Sequence, residues 1–202
     1  MKPSDLSDLI ADYDFALPES LIAQEPAPTR EQARLLLVRR EPTHGEPRFE
    51  DLKVSDLPQL VKELPQLKNS LWVRNRSRVI PARFYVRRPT GSRHEIVLLE
   101  ETAPGLWTAL IRGQSAFKYP QRLIAERDQN FVVESPSAGM IQFSSAAVVP
   151  EFLQSCGEMP LPPYIKTRIP GRDFDRYQTA WAQSEKAASV AAPTASLHFT
   201  PE

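Results

Sequence analysis

A chain of 202 residues with 25 basic and 25 acidic side chains has no net charge to draw it to nucleic acid or an acidic membrane, so any such attraction must come from a local patch. A single cysteine, Cys156, excludes an internal disulfide framework and fits a reducing compartment. No apolar run approaches the ~20 residues of a membrane span, and no basic flank with an apolar core opens the chain, so neither anchor nor secretory signal is evident. A cytoplasmic, membrane-free protein is expected.

Twenty prolines against seven glycines predict stiff, repeatedly punctuated connections. Asp5, Asp8, Asp12 and Asp14 mark a solvated lead over the first dozen residues, with structure expected from Tyr13. Pro18 and Glu19, ahead of Leu21 and Ile22, form a helix-start signature. Leu35 to Val38 is a continuous apolar run, which predicts a strand covered on both faces, and Pro42-Thr43-His44-Gly45 a turn after it. Leu57, Leu60, Val61, Leu64 and Leu67 recur at threes and fours and predict a helix, with Pro58 in its first turn and Pro65 bending or ending it.

From residue 71 the rhythm changes to short β-prone runs at 71–73, 79–86, 95–99, 107–111, 131–134 and 140–143, separated by turn chemistry such as Pro89-Thr90-Gly91-Ser92. Strands so spaced predict a small barrel or sandwich. Helical periodicity returns over 148–154, with Gly157 as C-cap, and includes Cys156, which reads as a small buried hydrophobe. Pro160, Pro162 and Pro163 then force an extended segment, and 173–182 is expected to be a helix that delivers Tyr177 and Gln178 towards the small-residue stretch 190–199. The expected fold class is therefore a mixed α/β domain with an inserted small β-barrel, divided as 1–68, 69–146 for the barrel, and 147–202.

Two stretches carry chemical content. Arg74, Arg76, Arg78 and Arg83, continued by Arg87, Arg88 and Arg93 and interleaved with Trp72, Phe84 and Tyr85, read either as an RNA-binding surface or as a strand edge charged against aggregation. His198 follows Pro193-Thr194-Ala195-Ser196, whose N–H groups and hydroxyls suit an anionic or hydroxyl-rich ligand; a structural histidine is the alternative. Neither H-E-x-x-H nor C-x-x-C occurs, so no metal site is expected, and one cysteine cannot hold a three-cysteine iron–sulfur cluster. G-x-G-x-x-G and Walker loops are missing as well.

Five segments in register, Leu17-Pro18-Glu19-Ser20-Leu21-Ile22-Ala23, Arg78-Val79-Ile80-Pro81-Ala82-Arg83, 159–165 (MPLPPYI), Tyr177-Gln178-Thr179 and 190–199 (VAAPTASLHF), resemble the S-adenosylmethionine:tRNA ribosyltransferase-isomerase family of queuosine biosynthesis. The resemblance implies an α/β domain with an inserted β-barrel. It implies S-adenosylmethionine as co-substrate, without a metal, and the tRNA anticodon stem-loop as partner. The ribosyl part moves to a 7-aminomethyl-7-deazaguanine at the wobble position and rearranges to an epoxycyclopentane, giving epoxyqueuosine with release of adenine and methionine. Carried onto this sequence, it implies catalytic roles for His198 and Thr194, and substrate or RNA contacts for Asn75, Ser77, Arg78, Arg83, Tyr164, Tyr177, Gln178 and Pro193.

The sequence departs from the family pattern at Arg76, where the family has Asp or Asn, at Ser196 and Ala188, where it has glycine, and in ending at Glu202 without later motifs such as L-H-V-G-x-G-T-F. The α/β domain is thus expected to be incomplete on its C-terminal side. Two alternatives to an active enzyme follow: a noncatalytic tRNA-binding paralogue, and one subunit of a split enzyme whose missing half-domain is a second chain.

Overall fold

The computed structural model of the chain describes residues 11, 13–39, 45–167, 174–183 and 187–201; the acidic lead over residues 1–10 and Asp12, and the turn residues Pro42, Thr43 and His44, lie outside the described residues. Pro18 starts a single 3-10 turn, Glu19–Leu21, and a second, Arg30–Gln32, follows. The apolar run then forms strand β1 (Arg34–Arg39), paired antiparallel with β2 (Arg48–Lys53) so that Leu35 faces Leu52 and Val38 faces Phe49. Cover on both faces is not observed. Because side chains alternate across a strand, Leu35, Leu37 and Leu52 share a half-buried face, while Leu36, Val38 and Phe49 share an exposed one. The leucine-spaced helix is α1 (Leu57–Glu63), with Leu60 buried; Leu64 turns extended and Pro65 opens the short α2 (Pro65–Lys68), the interruption that a proline dictates.

Residues 71–77, expected to begin with a strand, run without regular secondary structure. The next expected strand is split, because Pro81 cannot donate to a ladder: β3 (Arg78–Val79) ends before it and β4 (Arg83–Arg87) starts after it. With β5 (Arg93–Ala103), β6 (Leu106–Ile111), β7 (Gln121–Ala125), β8 (Val132–Ser135) and β9 (Met140–Gln142), β4 closes a six-stranded barrel in the order β4-β5-β6-β9-β8-β7. Its interior is built by alternation, Phe84 and Val86, Ile96 and Leu98, Leu123 and Ala125, all removed from water. β7 is the strand that the β-prone runs omit: Gln121 and Arg122 dilute its apolar content, yet Gln121, Leu123 and Ala125 point inward.

Helix α3 (Val149–Cys156) closes one end of the barrel. Phe152 is fully buried, and its ring meets those of Phe84 at 4.7 Å, Phe143 at 5.0 Å and Phe131 at 5.4 Å, all near edge-to-face. Cys156 is buried in the same core. Gly157 does follow the helix, but with φ −77° it is not a left-handed cap. Its need for glycine is steric, since a Cβ there would overlap the carbonyl oxygens of Pro81 and Leu153.

Beyond the helix, Arg83 and Glu158 exchange backbone hydrogen bonds of 3.1 and 2.6 Å, which fastens the proline-rich segment to the start of β4. Of the helix expected at 173–182, one turn at 174–176 is observed, and Gln178 lies past it. Strand β10 (Ala187–Ser189) pairs parallel with β3, and Ile80 N–H donates to the Ser189 carbonyl at 2.9 Å. A small core of Val79, Met159 and Leu161, flanked by Phe174, Tyr177 and Ala192, joins these pieces. The molecule is thus mixed α/β with a closed barrel, as the sequence led us to expect. Among the described residues no helix is long and apolar enough to cross a membrane.

Candidate functional site

The stretch read as a loop, 194–198, is a 3-10 helix entered from an extended Pro193, with the Ser196 N–H donating to the Pro193 carbonyl at 2.8 Å. Ser196 therefore sits in a right-handed 3-10 backbone, which a serine adopts as readily as a glycine. At three residues per turn Thr194 and Leu197 share one side, while His198 is rotated off it. They accordingly face different clefts. One, of about 280 Å³, is lined by Thr194, Leu197, Tyr164, Tyr177, Gln24 and Arg176; the other, of about 650 Å³, by His198, Phe199, Trp72, Glu31, Lys62 and the apolar side chains of α1.

Long-range hydrogen bonds hold this partition in place. Arg30 donates to the Leu197 carbonyl at 2.8 Å and to that of Asp175 at 2.9 Å, while Arg176 donates to that of Ala27 at 2.7 Å. Burial, then the nearby Arg176 charge, pulls the Arg30 pKa down, but an arginine remains a cation. Gln24 spans the extended segment, donating to Tyr164 O at 3.0 Å and accepting from Lys166 N–H at 2.7 Å. Burial pushes the Tyr177 phenol up against a smaller opposing hydrogen bond at Ala192, so it stays a neutral donor at physiological pH. Across the second cleft, hydrogen bonds from its own backbone and from the Thr29 side chain hold the Glu31 carboxyl below the usual range, so it is ionised.

The arginine run divides three ways. Arg74 lies over the Trp181 ring at 4.9 Å, Trp181 in turn meets Phe199 at 5.4 Å, Arg76 donates to Gln183 Oε1 at 2.7 Å, and Arg78 lies over Phe174 at 5.3 Å. Arg83 turns into the molecule, 3.1 Å from Glu95 and donating to Leu161 O at 2.7 Å. Arg87 and Arg93 share Glu126 on the barrel surface, and Arg88 covers Phe117. Asn75 Oδ1 accepts from the backbone and the hydroxyl of Ser77, 2.8 and 2.5 Å away, shaping the entry to β3. His94 is a structural histidine: Nδ1 donates to Arg112 O at 3.1 Å and the ring packs on Phe117. Among the described residues no cluster of three or more His, Cys, Asp or Glu could hold a metal ion.

A family profile described as "Queuosine biosynthesis protein" matches residues 10–202. The chain belongs to the queuosine biosynthesis protein family. It is 39% identical over 201 residues to the S-adenosylmethionine:tRNA ribosyltransferase-isomerase of Thermus thermophilus, covering 94% of this chain and 54% of the relative. To the protein of the same name from Pelobacter propionicus it is 40% identical over 200 residues, covering 96% and 55%. The chain thus spans about half the length of these curated relatives. A crystal structure of an S-adenosylmethionine tRNA ribosyltransferase from Thermotoga maritima aligns with a TM-score of 0.33 at 24% identity, over 77% of this chain and 52% of that one.

In this queuosine biosynthesis family member the residues singled out from sequence fall into groups. Tyr164, Tyr177 and Thr194 share the smaller cleft, His198 lies in the larger, and Pro193 caps the helix between them. Arg78, Asn75 and Ser77 shape β3 and its approach, whereas Arg83 and Gln178 face inward. Sequence reasoning missed Gln24, Arg30 and Arg176, whose partners are backbone groups far along the chain, and Glu31, held by its own backbone and the Thr29 side chain; no local pattern marks any of them.

Gln178 is informative because its carboxamide pairs with both backbone groups of the buried Val79, accepting from N–H at 2.9 Å and donating to O at 2.7 Å, as a neighbouring strand would. Gln178→Leu leaves both groups without this partner in a dry site and should lower stability by about 2 kcal/mol. The denaturant midpoint reads it, and an unchanged midpoint would mean that Val79 finds water.

Proposed function

We propose that this chain supplies the substrate-handling part of an S-adenosylmethionine:tRNA ribosyltransferase-isomerase, which moves the ribosyl moiety of S-adenosylmethionine onto a 7-aminomethyl-7-deazaguanine in the tRNA anticodon to give epoxyqueuosine. The observation that carries the reading is the wall of family-motif residues, Pro193 to Phe199, between two clefts lined by the other motif side chains. In the reaction the sulfonium acidifies the adjacent carbon, and a base removes its proton. His198, in the larger cleft, is our candidate for that base, and Thr194, which faces the smaller cleft, is our candidate for a hydroxyl donor to the part of the substrate bound there. Tyr177, kept protonated, is a donor in the same cleft as Tyr164; Asn75, Ser77, Arg78 and Pro193 contact substrate or RNA, and Arg83 and Gln178 position β3 from behind. The expected setting is the cytoplasm, where tRNA and S-adenosylmethionine meet.

A second reading is favoured by the exposed apolar surface on Leu36, Val38, Phe49, Leu71 and Val73, together with relatives nearly twice as long. Here the activity requires a further half-domain, such as the second chain of a split enzyme, packed on that surface. Adenine release from S-adenosylmethionine with precursor tRNA tests both. Turnover by the chain alone, reduced about 10²- to 10³-fold in His198→Ala, supports the first. Turnover only after adding a polypeptide with the remaining length of a relative supports the second. None in either case overturns both and leaves a noncatalytic paralogue, which would bind tRNA with steep salt dependence but not S-adenosylmethionine.

A further inference from the structure

Tyr13, Phe15 and Leu17 stand 79%, 73% and 53% exposed in a stretch without regular secondary structure, and among the described residues Phe15, Ala16 and Leu17 make no hydrogen bond. Large apolar side chains thus alternate along free main chain. A spacing of two sets all three on one face of an extended chain, and unpaired N–H and C=O groups beside an apolar face are what a strand presents before it joins a sheet. A groove that takes a helix would call for spacings of three and four, and a lipid surface would leave the main-chain groups unsatisfied.

The root of this arm is fixed. Glu19 pairs with Lys166 at 2.6 Å, and Gln24 bonds the Tyr164 carbonyl at 3.0 Å and the Lys166 N–H at 2.7 Å, just where Ala23 to Pro26 line the smaller cleft. A strand paired with the arm is thereby tethered a few residues from that cleft. Asp5, Asp8, Asp12 and Asp14, against Lys2 alone, make the chain acidic up to and into the arm, which suits a partner edge flanked by lysine or arginine.

We propose that residues 13–17 are a strand donor, which adds to the open sheet edge of a further polypeptide with an apolar face under Tyr13, Phe15 and Leu17 and basic residues at its flank. Main-chain hydrogen bonds supply the affinity of such an addition, and the alternate side chains its register. The proposal rests on the second reading above, in which a further half-domain completes the activity; it adds the element that grips that half-domain and the cleft beside which it is held. The curated relatives extend well beyond the part that this chain matches, by the length that such a polypeptide needs.

Hydrogen exchange and titration calorimetry test it on the full chain, alone and mixed with a polypeptide of the remaining length of the Thermus thermophilus relative. The amides of residues 15–17 should exchange freely in the chain alone and become protected in the mixture. Phe15→Asp, which spoils the apolar face, and Ala16→Pro, which removes a main-chain donor, should each weaken association about tenfold or more. Neither should move the denaturant midpoint of the chain alone. Leu110→Ala, which alters a 62%-exposed side chain on the barrel, should associate like the parent. Association with free exchange at residues 15–17 and no effect of either variant overturns the strand donor and leaves the second reading standing. Loss with Phe15→Asp but not with Ala16→Pro makes the arm a side-chain anchor and overturns the pairing. Protection in the chain alone that rises with its concentration assigns the arm to a second copy and overturns the proposal, and a parent that does not associate overturns the second reading with it.

Discussion

Phe152→Ala should lower the unfolding free energy by about 4 kcal/mol, the range found for truncating a fully buried aromatic side chain. Phe152 has no solvent exposure and is the only contribution of a helix to a cluster of four rings; Phe84, Phe131 and Phe143 come from the barrel side of the interface. Three edge-to-face contacts are lost at once, along with the apolar area, and the surrounding strands are hydrogen-bonded into a closed ring that cannot collapse to fill the void. Phe152→Leu, which keeps most of the volume but not the ring geometry, should cost about 1.5 kcal/mol. Urea unfolding followed by circular dichroism separates the two, and equal midpoints for Phe152→Ala and the parent would mean that α3 is not docked as described. Because α3 runs directly into Gly157 and the segment that bears Tyr164, loosening it should also reduce any ligand affinity of the smaller cleft, with no effect on cooperativity of the barrel itself.

That plug was legible in the sequence as an apolar helix, and the barrel as a train of short strands, because alternation of period two survives wherever one face is buried. Legibility failed where a single local cue had two physical meanings. The run from Leu35 to Val38 reads as a fully covered strand by its continuity alone, yet in a two-stranded ribbon continuity cannot bury both faces. The five residues of β7 carry the right alternation but too few apolar side chains to stand out, and it is closure against β4 and β8 that makes them a strand. Gly157 is the C-cap that the sequence suggested, its N–H donating to the Leu153 carbonyl, but what demands a glycine there is crowding and not a left-handed backbone. The clefts were the least legible. Arg30 and Leu197 are 167 positions apart, and nothing local announces that a guanidinium early in the chain will fix the carbonyl of a helix near its end. The motif stretches identified the family because they are contiguous; the geometry between them is tertiary, and it put His198 and Thr194 in separate cavities.

Arg83→Met should cost about 3 kcal/mol, and the loss should be of folding rather than of RNA affinity. The guanidinium is buried, 3.1 Å from Glu95 and bonded to the Leu161 carbonyl, so its removal strands a carboxylate and a carbonyl in a poorly hydrated site. The value belongs at the low end for a broken buried pair, because Glu95 retains partial exposure and the distant Arg112, 3.8 Å away, can take up some of its charge. The double variant Arg83→Met with Glu95→Leu should recover much of the deficit, since an apolar pair of similar volume needs no desolvation of charge. A role in binding phosphate predicts the opposite pattern: an unchanged unfolding midpoint, no recovery in the double variant, and a tRNA salt dependence shallower by about one unit of slope. Thermal melts and salt titrations of the same two proteins decide it. The melt should respond, because Arg83 also ties the strand that starts the barrel to the extended segment that ends in Tyr164, and a group already holding Leu161 from inside is turned away from any ligand in front of it.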